Sequence, residues 1–421
     1  MAQKDNNSKR LDAVKSIQKE LLGKKLSYHE IYNLMDEISH ERLGDVLTTY
    51  FVASSFKTGF SPEELYHFTK AMVETGTQLK FSGIVADKHS TGGLAGTRTT
   101  LIVVPIVAAA GFKIPKTSSR AITTPAGTAD VMELLANVNF TPAQAQSIVE
   151  KTGGCIIWNG KLGLAPADDI IIRVEAPLMF ESFDKIIISI MAKKIAVSTN
   201  HLILDLPVGK TMKIKHFADA EKVAQKFITL GHHFGMKVIA DINESFEPAG
   251  RGIGPFLEAK DVMEVLEQRK ERAIKLEAKA VRIAGKLLQI CYDSTGEKKN
   301  GQDEARRILA NGDALKKFRE IVKAQGGDGN LSYTSLKSLA HKKQVMSMKS
   351  GTIKEINNYN LNTLAKILGA PKDKYAGIYL LKKIDEKVDK KEPVFIFYSC
   401  DPYRIKEAEI TLENFPVYTI E

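Results

Sequence analysis

DKHSTGG, residues 87–93, decides how this chain is read. Gly83 to Ala86 before it has the apolar character of a short buried strand. Asp87 to Gly93 reads as a loop, and Thr99 to Ala110 reads as a buried helix, although its β-branched residues also permit a strand. A strand, a glycine turn and a helix in that order form a setting in which an anion meets many donors at close range. Glycines let the backbone approach, hydroxyls donate, and the start of a helix adds positive potential. Lys88 supplies a full charge, and Thr97, Thr99 and Thr100 add hydroxyls just downstream. The segment is neither a Walker A loop nor a dinucleotide fingerprint. On these residues alone, a plain strand-to-helix turn carrying surface Lys and Thr remains open.

Downstream, Ile114 begins a short element, and Ser118 to Thr128 is a loop of small residues. The stretch Thr117-Ser118-Ser119-Arg120-Ala121-Ile122-Thr123-Thr124-Pro125-Ala126-Gly127-Thr128 is rich in hydroxyls. It suits an anionic or sugar ligand, or equally an exposed Ser/Thr loop. Thr128 to Leu135 resumes helical spacing, and Thr141-Pro142-Ala143-Gln144 is a capped helix start. Gly154 to Trp158, His201 to Leu206 and Met236 to Ile242 read as strands. Strands alternating with helices predict a mainly parallel sheet.

Upstream, the residues to about Gly23 are polar and helical or frayed. Ser27 and Glu30 form a capping box, and Leu34, Ile38, Leu43, Val46 and Leu47 follow at near-helical spacing. Ser61-Pro62-Glu63-Glu64 starts another helix, which stops near Gly76. The first 75 or so residues are therefore a small helical unit. Residues 182–198 are again helical and apolar. Here Ser189 and Lys193, four apart, share one face and with Arg173 suggest a patch turned to a ligand; ordinary amphipathicity gives the same pattern. Glu181 and Asp184 precede that helix, where acids complement its dipole. Gly254 to about Gly327 is helical and heavily charged. Beyond Lys337, Gly351-Thr-Ile, Ala376-Gly-Ile-Tyr-Leu, Val394-Phe-Ile-Phe-Tyr and Val417-Tyr-Thr-Ile point to a β-rich C-terminal domain.

Composition narrows the classes of function. The chain has 421 residues, enough for two or three domains, and is 43% hydrophobic. It has no apolar run of about 18 residues, so no membrane span is expected. The polar MAQKDNNSKR start lacks a signal core, which leads to the expectation of a cytoplasmic protein. Cys155, Cys291 and Cys400 lie far apart without metal-site spacing and are expected to be buried free thiols; His232 and His233 read as structural, and no metal is expected. The +10 charge is spread along the chain. It reads either as a lysine-rich solvated surface with a basic tail or as attraction for an anionic partner, and it carries no nucleic-acid-binding signature.

Taken together, DKHSTGG, TSSRAITTPAGTAD (117–130), LAPADD (164–169), SIMAKK (189–194) and GAPKDKYAGIYL (369–380) resemble the thymidine phosphorylase family. The likeness runs over nearly all the chain from about Lys25. KTSSRAITTPAGTADVMELLA, EKTGGCIIWNG and LAPADDIIIRVE are similar to the AMP phosphorylase branch. Three departures stand out. The separate N-terminal domain of archaeal members is not in this sequence, Glu181 aligns where an Asp is usual, and Glu247-Pro248-Ala249-Gly250 replaces Gln-Pro-Ile-Gly.

The resemblance implies an α/β fold of the class II nucleoside phosphorylase kind. A discontinuous helical domain (1–80 plus 163–200) would face a larger mixed α/β domain (81–162 plus 201–336), followed by the β-rich α+β domain (337–421). It implies phosphate binding by Lys88, Ser90, Thr100, Ser118 and Thr128. It implies AMP contacts from Gly93, Ser119, Arg120, Ala121, Ile122, Thr123, Thr124, Thr128, Ser189 and Lys213. The residues matching His89, Arg173, Ser189 and Lys193 hold the base in the thymidine branch. Glu181, or else Asp184, would protonate the leaving base, and His89 is a second candidate for a catalytic role.

The reaction implied is AMP plus phosphate to adenine plus ribose 1,5-bisphosphate. It needs no cofactor, since phosphate is a co-substrate, and the resemblance implies a homodimer through the helical domain. Phosphorolysis of thymidine or uridine, an anthranilate-type phosphoribosyl transfer, and a non-catalytic nucleotide- or RNA-binding role remain as alternatives.

Overall fold

The structure is a computed structural model that describes residues 2–54, 59–175 and 182–421. In chain order the elements are α1 (Ala2–Leu21), α2 (Tyr28–Ser39), α3 (Asp45–Ser54), α4 (Pro62–Glu74), β1 (Ala86–Ser90), α5 (Thr100–Ala109), β2 (Ile114–Ser118), α6 (Thr128–Met132), α7 (Pro142–Thr152), β3 (Gly154–Trp158), α8 (Pro166–Glu175), α9 (Phe183–Ala196), β4 (His201–Val208), α10 (Phe217–His233) and β5 (Lys237–Glu244). There follow β6 (Gly252–Ile253), α11 (Pro255–Leu266), α12 (Ile274–Thr295), α13 (Gly301–Ala310), α14 (Asp313–Ala324), β7 (His341–Met346), β8 (Gly351–Ile356), α15 (Asn358–Ile367), β9 (Gly377–Leu380), β10 (Lys387–Val388), β11 (Pro393–Ser399), α16 (Pro402–Leu412) and β12 (Tyr418–Ile420).

The helix starts are set by local chemistry. Ser27, Ser61 and Thr141 each accept a bond from the third helical N–H, while Glu30, Glu64 and Gln144 reach back to the cap N–H. Pro62 and Pro142 sit where a helix has no N–H to lose. Gly153 and Gly296 end α7 and α12 in the left-handed conformation that their lack of a Cβ permits.

The chain folds into two compact units. The first comprises residues 1–85, 159–202 and 222–239, the second 86–158, 203–221 and 240–421. The first unit is helical. Its core includes Ile31, Leu34, Met35 and Ile38 of α2, Leu65, Phe68 and Met72 of α4, and Ile187 and Met191 of α9. These positions recur at three- and four-residue spacing, which aligns them on one face of each helix.

The second unit carries the α/β portion. β1, β4 and β5 form a sheet in the order β1-β4-β5, and β2 pairs in parallel with β3. α5 is buried along its length from Thr100 to Ala108, Pro105 included, so the ambiguous apolar run is a helix. The C-terminal sheets are antiparallel: β10-β8-β12 and β6-β9-β11-β7. Their core, with Ile378, Leu380, Phe395 and Phe397, also takes in Ala95 and Ile253 of the α/β portion. The sheets of the chain are thus mixed in direction. Among the described residues, no helix is long and apolar enough to cross a membrane.

Three sequence expectations are corrected. First, β1 begins at Ala86 and runs through Ser90, so Asp87, Lys88, His89 and Ser90 are strand and not loop. Asp87 and Lys88 are buried and charge-paired, which breaks the apolar pattern that marks a strand. Second, the helical run through Leu47 is interrupted. α2 ends at Ser39, Gly44 takes a φ of 80°, and Val46 on α3 is exposed. Third, Cys155 and Cys291 are buried free thiols but Cys400 is exposed.

Candidate active site

In the second unit, Lys88 at the middle of β1 carries a buried ammonium whose Nζ lies 3.9 Å from Asp205. Burial lowers its pKa from 10.5 to about 8; Asp205 opposes that shift, and Lys279 and Arg98 add to it. A desolvated cation held only loosely by its carboxylate is well suited to an incoming anion. Directly beyond, Gly92 and Gly93 take φ values of 79° and 91°, a region costly for any residue with a Cβ. The Gly92 N–H points to the Ser90 hydroxyl at 3.4 Å.

The turn is pinned by Asn358 of α15, whose amide donates to the Gly93 carbonyl at 2.6 Å and accepts from the Ala95 N–H at 3.1 Å. A Cβ on Gly93 would lie 3.6 Å from Lys213 Cγ, so these two expected nucleotide contacts are neighbours. Thr100 is buried at the first turn of α5. The hydroxyls of Thr91 and Thr99 are buried without a hydrogen-bond partner. Thr99 stands at the N-cap of α5, and buried hydroxyls of this kind are chemically suited to donate to an anion.

The second loop is tied to the first. Arg98 donates to the Thr128 hydroxyl at 2.9 Å and the Ala126 carbonyl at 2.7 Å, while its Nε binds Glu258 at 2.8 Å. β1 runs beside β2: the Ala86 N–H reaches the Lys113 carbonyl at 2.8 Å, and Lys116 lies 3.7 Å from Asp87. Both contacts advance in the same direction along the two strands, which puts Ser90 and Ser118 at the same edge.

Asp130 fastens the loop from inside. One carboxylate oxygen accepts from the Ala121 N–H at 2.7 Å and from the Gly127 N–H at 2.9 Å. A Cβ on Gly127 would fall 2.5 Å from the Arg120 carbonyl carbon, so the loop closes only around glycine. Arg120 itself is committed. It forms a two-pronged pair with Glu133 at 2.6 and 2.7 Å, approaches Asp130 at 3.3 Å and lies over Trp158. Lys374 joins both acids at 3.0 Å. What the loop presents outward is its tip: Ser119, Ile122 and Thr123 are exposed.

In the first unit, Asp168 of α8 is the organiser. Its Oδ2 accepts from the Ser189 hydroxyl at 2.8 Å and pairs with Lys193 at 2.5 Å. Asp169 lies 3.8 Å from the same ammonium. Burial acts against the Lys193 charge, yet Asp168 and then Asp169 outweigh it, and the net direction is upward. Ser189 and Lys193 do share a helical face, with their i,i+4 spacing read out by one buried carboxylate. Arg173 sits elsewhere: it is half-exposed and pairs with Asp45 at 2.9 Å and Glu41 at 3.6 Å. Asp184 accepts from the Phe60 N–H at 2.8 Å and pairs with Lys226 of α10 at 2.5 Å, so both its oxygens are engaged outside α9. Glu181 lies outside the described residues.

Sequence reasoning passed over Arg98, Asn243, Lys279 and Asn358. It mentioned Asp130 and Asp168 only within motifs, and Asp205 only within a strand. Among the described residues, no group of three or more His, Cys, Asp or Glu is placed to hold a metal ion.

Comparison with known proteins agrees with this layout. Residues 82–315 match the glycosyl transferase family a/b domain, 14–76 that family's helical bundle domain, and 352–416 the pyrimidine nucleoside phosphorylase C-terminal domain. AMP phosphorylase 1 of Archaeoglobus fulgidus is 41% identical over 94% of this chain and 78% of its own. AMP phosphorylase of Thermofilum pendens is 42% identical over 96% and 77%, and a putative thymidine phosphorylase of Legionella pneumophila is 40% identical over 97% and 79%. The fold is shared with anthranilate phosphoribosyltransferase of Thermus thermophilus, with a TM-score of 0.62 and 18% identity over 74% of this chain and 99% of that one. The chain therefore belongs to the thymidine phosphorylase family of pentosyltransferases, on its AMP phosphorylase branch.

Proposed function

We propose that the protein cleaves AMP with inorganic phosphate, giving adenine and ribose 1,5-bisphosphate, as a step of nucleotide salvage in the cytoplasm. The observation that carries this reading is the buried Lys88 ammonium beside the Gly92–Gly93 turn and the orphaned hydroxyls of Thr91 and Thr99. Relatives named for AMP phosphorolysis, at 41% and 42% identity, support the choice of AMP.

In this scheme Lys88, Ser90, Thr100, Ser118 and Thr128 bind the attacking phosphate. Gly93, the loop Ser119 to Thr124, Thr128 and Lys213 bind the nucleotide. Because the Arg120 guanidinium is spent on Glu133, this loop would act through backbone N–H groups and its Thr hydroxyls. Ser189 and Lys193 contact the base, and Arg173 and His89 remain candidates for that role. As the C1′–N bond breaks, its electron pair passes to adenine while a phosphate oxygen bonds C1′. Holding the phosphate in line supplies about 7–11 kcal/mol of the barrier reduction in favourable geometry. A donor hands adenine one proton. With both oxygens of Asp184 engaged, Glu181 takes that role. A homodimer through the first unit completes the proposal, in keeping with the exposed Leu11, Leu21, Leu22, Val46 and Tyr50 there.

The test is base release from AMP, CMP, UMP, thymidine and uridine, each with and without phosphate. Phosphate-dependent release from AMP is expected, and Glu181→Gln is expected to slow it by at least about 100-fold. Reaction of unphosphorylated nucleosides alone would move the protein to the pyrimidine nucleoside phosphorylases. A Glu181→Gln variant with wild-type turnover across pH would remove that residue from the mechanism.

A further inference from the structure

α12 packs beside β1, and one of its lysines, Lys279, is buried. Lys279 lines a cavity of about 800 Å³ together with Leu94, Asn243 and Phe246. Its Nζ lies 3.1 Å from Asp205 Oδ1 and donates to Asn243 Oδ1 at 3.0 Å, while Asn243 Nδ2 donates back to the same Asp205 oxygen at 2.9 Å. Lys279, Asp205 and Asn243 thus close a ring. Lys88 lies outside it, 3.9 Å from the other Asp205 oxygen. The separations decide which lysine owns the carboxylate: Lys279 makes the short, hydrogen-bonded pair and Lys88 the long one.

The remaining charges around Lys88 are engaged as well. Asp87 on β1 is 3.7 Å from Lys116, and Arg98 is held by Glu258. Asp241 on β5 takes Arg282 at 3.0 Å and Lys286 at 2.6 Å, and it also accepts from Asn243 at 3.2 Å.

We propose that Lys279 is a positioning residue that retains the Asp205 carboxylate, so that the Lys88 ammonium stays available to phosphate. The proposal rests on Lys88 being the phosphate-binding cation. Electrostatics agree: burial works against the Asp205 charge, but Lys279 and then Lys88 hold its carboxyl below the usual range, and Lys279 is among the groups lowering Lys88. Without Lys279, Asp205 would turn to Lys88, tighten its hold on the proton and draw the ammonium off the phosphate.

Steady-state kinetics of Lys279→Met and Asp205→Asn across pH test this. In Lys279→Met the KM for phosphate rises about tenfold, while the KM for AMP and kcat at saturating phosphate stay close to wild type. The alkaline limb of kcat/KM for phosphate moves to higher pH in Lys279→Met and to lower pH in Asp205→Asn; Lys279→Arg restores the wild-type profile. Mere loss of packing would not move the two limbs in opposite directions. A phosphate KM unchanged in folded Lys279→Met overturns the proposal. So does a limb that stays put or rises in Asp205→Asn, which decides the matter if Lys279→Met fails to fold. If Lys88→Met itself leaves phosphate KM unchanged, the phosphate-site assignment fails instead.

Discussion

Lys88→Met is expected to lower kcat/KM for phosphate by about 100- to 1,000-fold while leaving the Tm unchanged or higher. The two halves of that result have one cause. Lys88 keeps a charge in a site that is 4% exposed, with its nearest carboxylate 3.9 Å away. Desolvation is poorly compensated there, so the residue costs stability and is useful only when an anion arrives. Methionine has nearly the same length and no charge to desolvate, and Asp205 keeps Lys279 as its partner.

The pH dependence follows with a definite sign. With Lys88 lowered from 10.5 to about 8, the ammonium is present below pH 8 and lost above it, so phosphate use falls as pH rises through about 8. Stability moves the other way. Between about 8 and 10.5 the unfolded chain still binds the proton that the folded chain has released, so this group's contribution rises with pH in that window. A Tm drop in Lys88→Met, or an activity profile flat to pH 9, would contradict this account of the site.

Asp168→Ala is expected to destabilise the first unit by about 3 kcal/mol, read as a lower urea midpoint. Asp168 is 3% exposed and serves Ser189 and Lys193 at once. Its removal leaves a mostly covered ammonium, 16% exposed, facing only Asp169 at 3.8 Å among the charges described there, and strips the Ser189 hydroxyl of its acceptor. Ser189→Ala removes one neutral donor and should cost nearer 1 kcal/mol. A loss below about 1 kcal/mol in Asp168→Ala would mean that Lys193 finds water or another partner.

Features set by short-range chemistry were legible in the sequence. The capping boxes at Ser27, Ser61 and Thr141 announce themselves by a hydroxyl and a carboxylate or amide three residues apart, and all three are formed. α5 was readable to within a residue because apolar character on every side marks a buried element. β1 was misplaced because the strand buries charge: Asp87 and Lys88 look like loop residues until Lys116 and Asp205 are seen opposite them. The i,i+4 relation of Ser189 and Lys193 was visible, but not the carboxylate that uses it.

Partners distant in sequence left no local trace. Asn358 pins a turn from far down the chain, and its position at the start of α15 reads as an ordinary helix residue. Lys279 sits on a charged helix whose other lysines, Lys275 and Lys286, are exposed, and nothing local in the sequence distinguishes it from them. Arg173 shares a motif with Asp168 but projects from another side of α8, towards Asp45 and Glu41.

The most direct test follows the phosphorus atoms. The protein is mixed with AMP and inorganic phosphate, and the mixture is observed by phosphorus NMR as adenine is released. The account predicts a new anomeric phosphate signal growing in step with adenine, at the expense of inorganic phosphate, with the 5′-phosphate retained. Adenine release without consumption of inorganic phosphate, or no release from AMP under conditions where thymidine or uridine reacts, would contradict it.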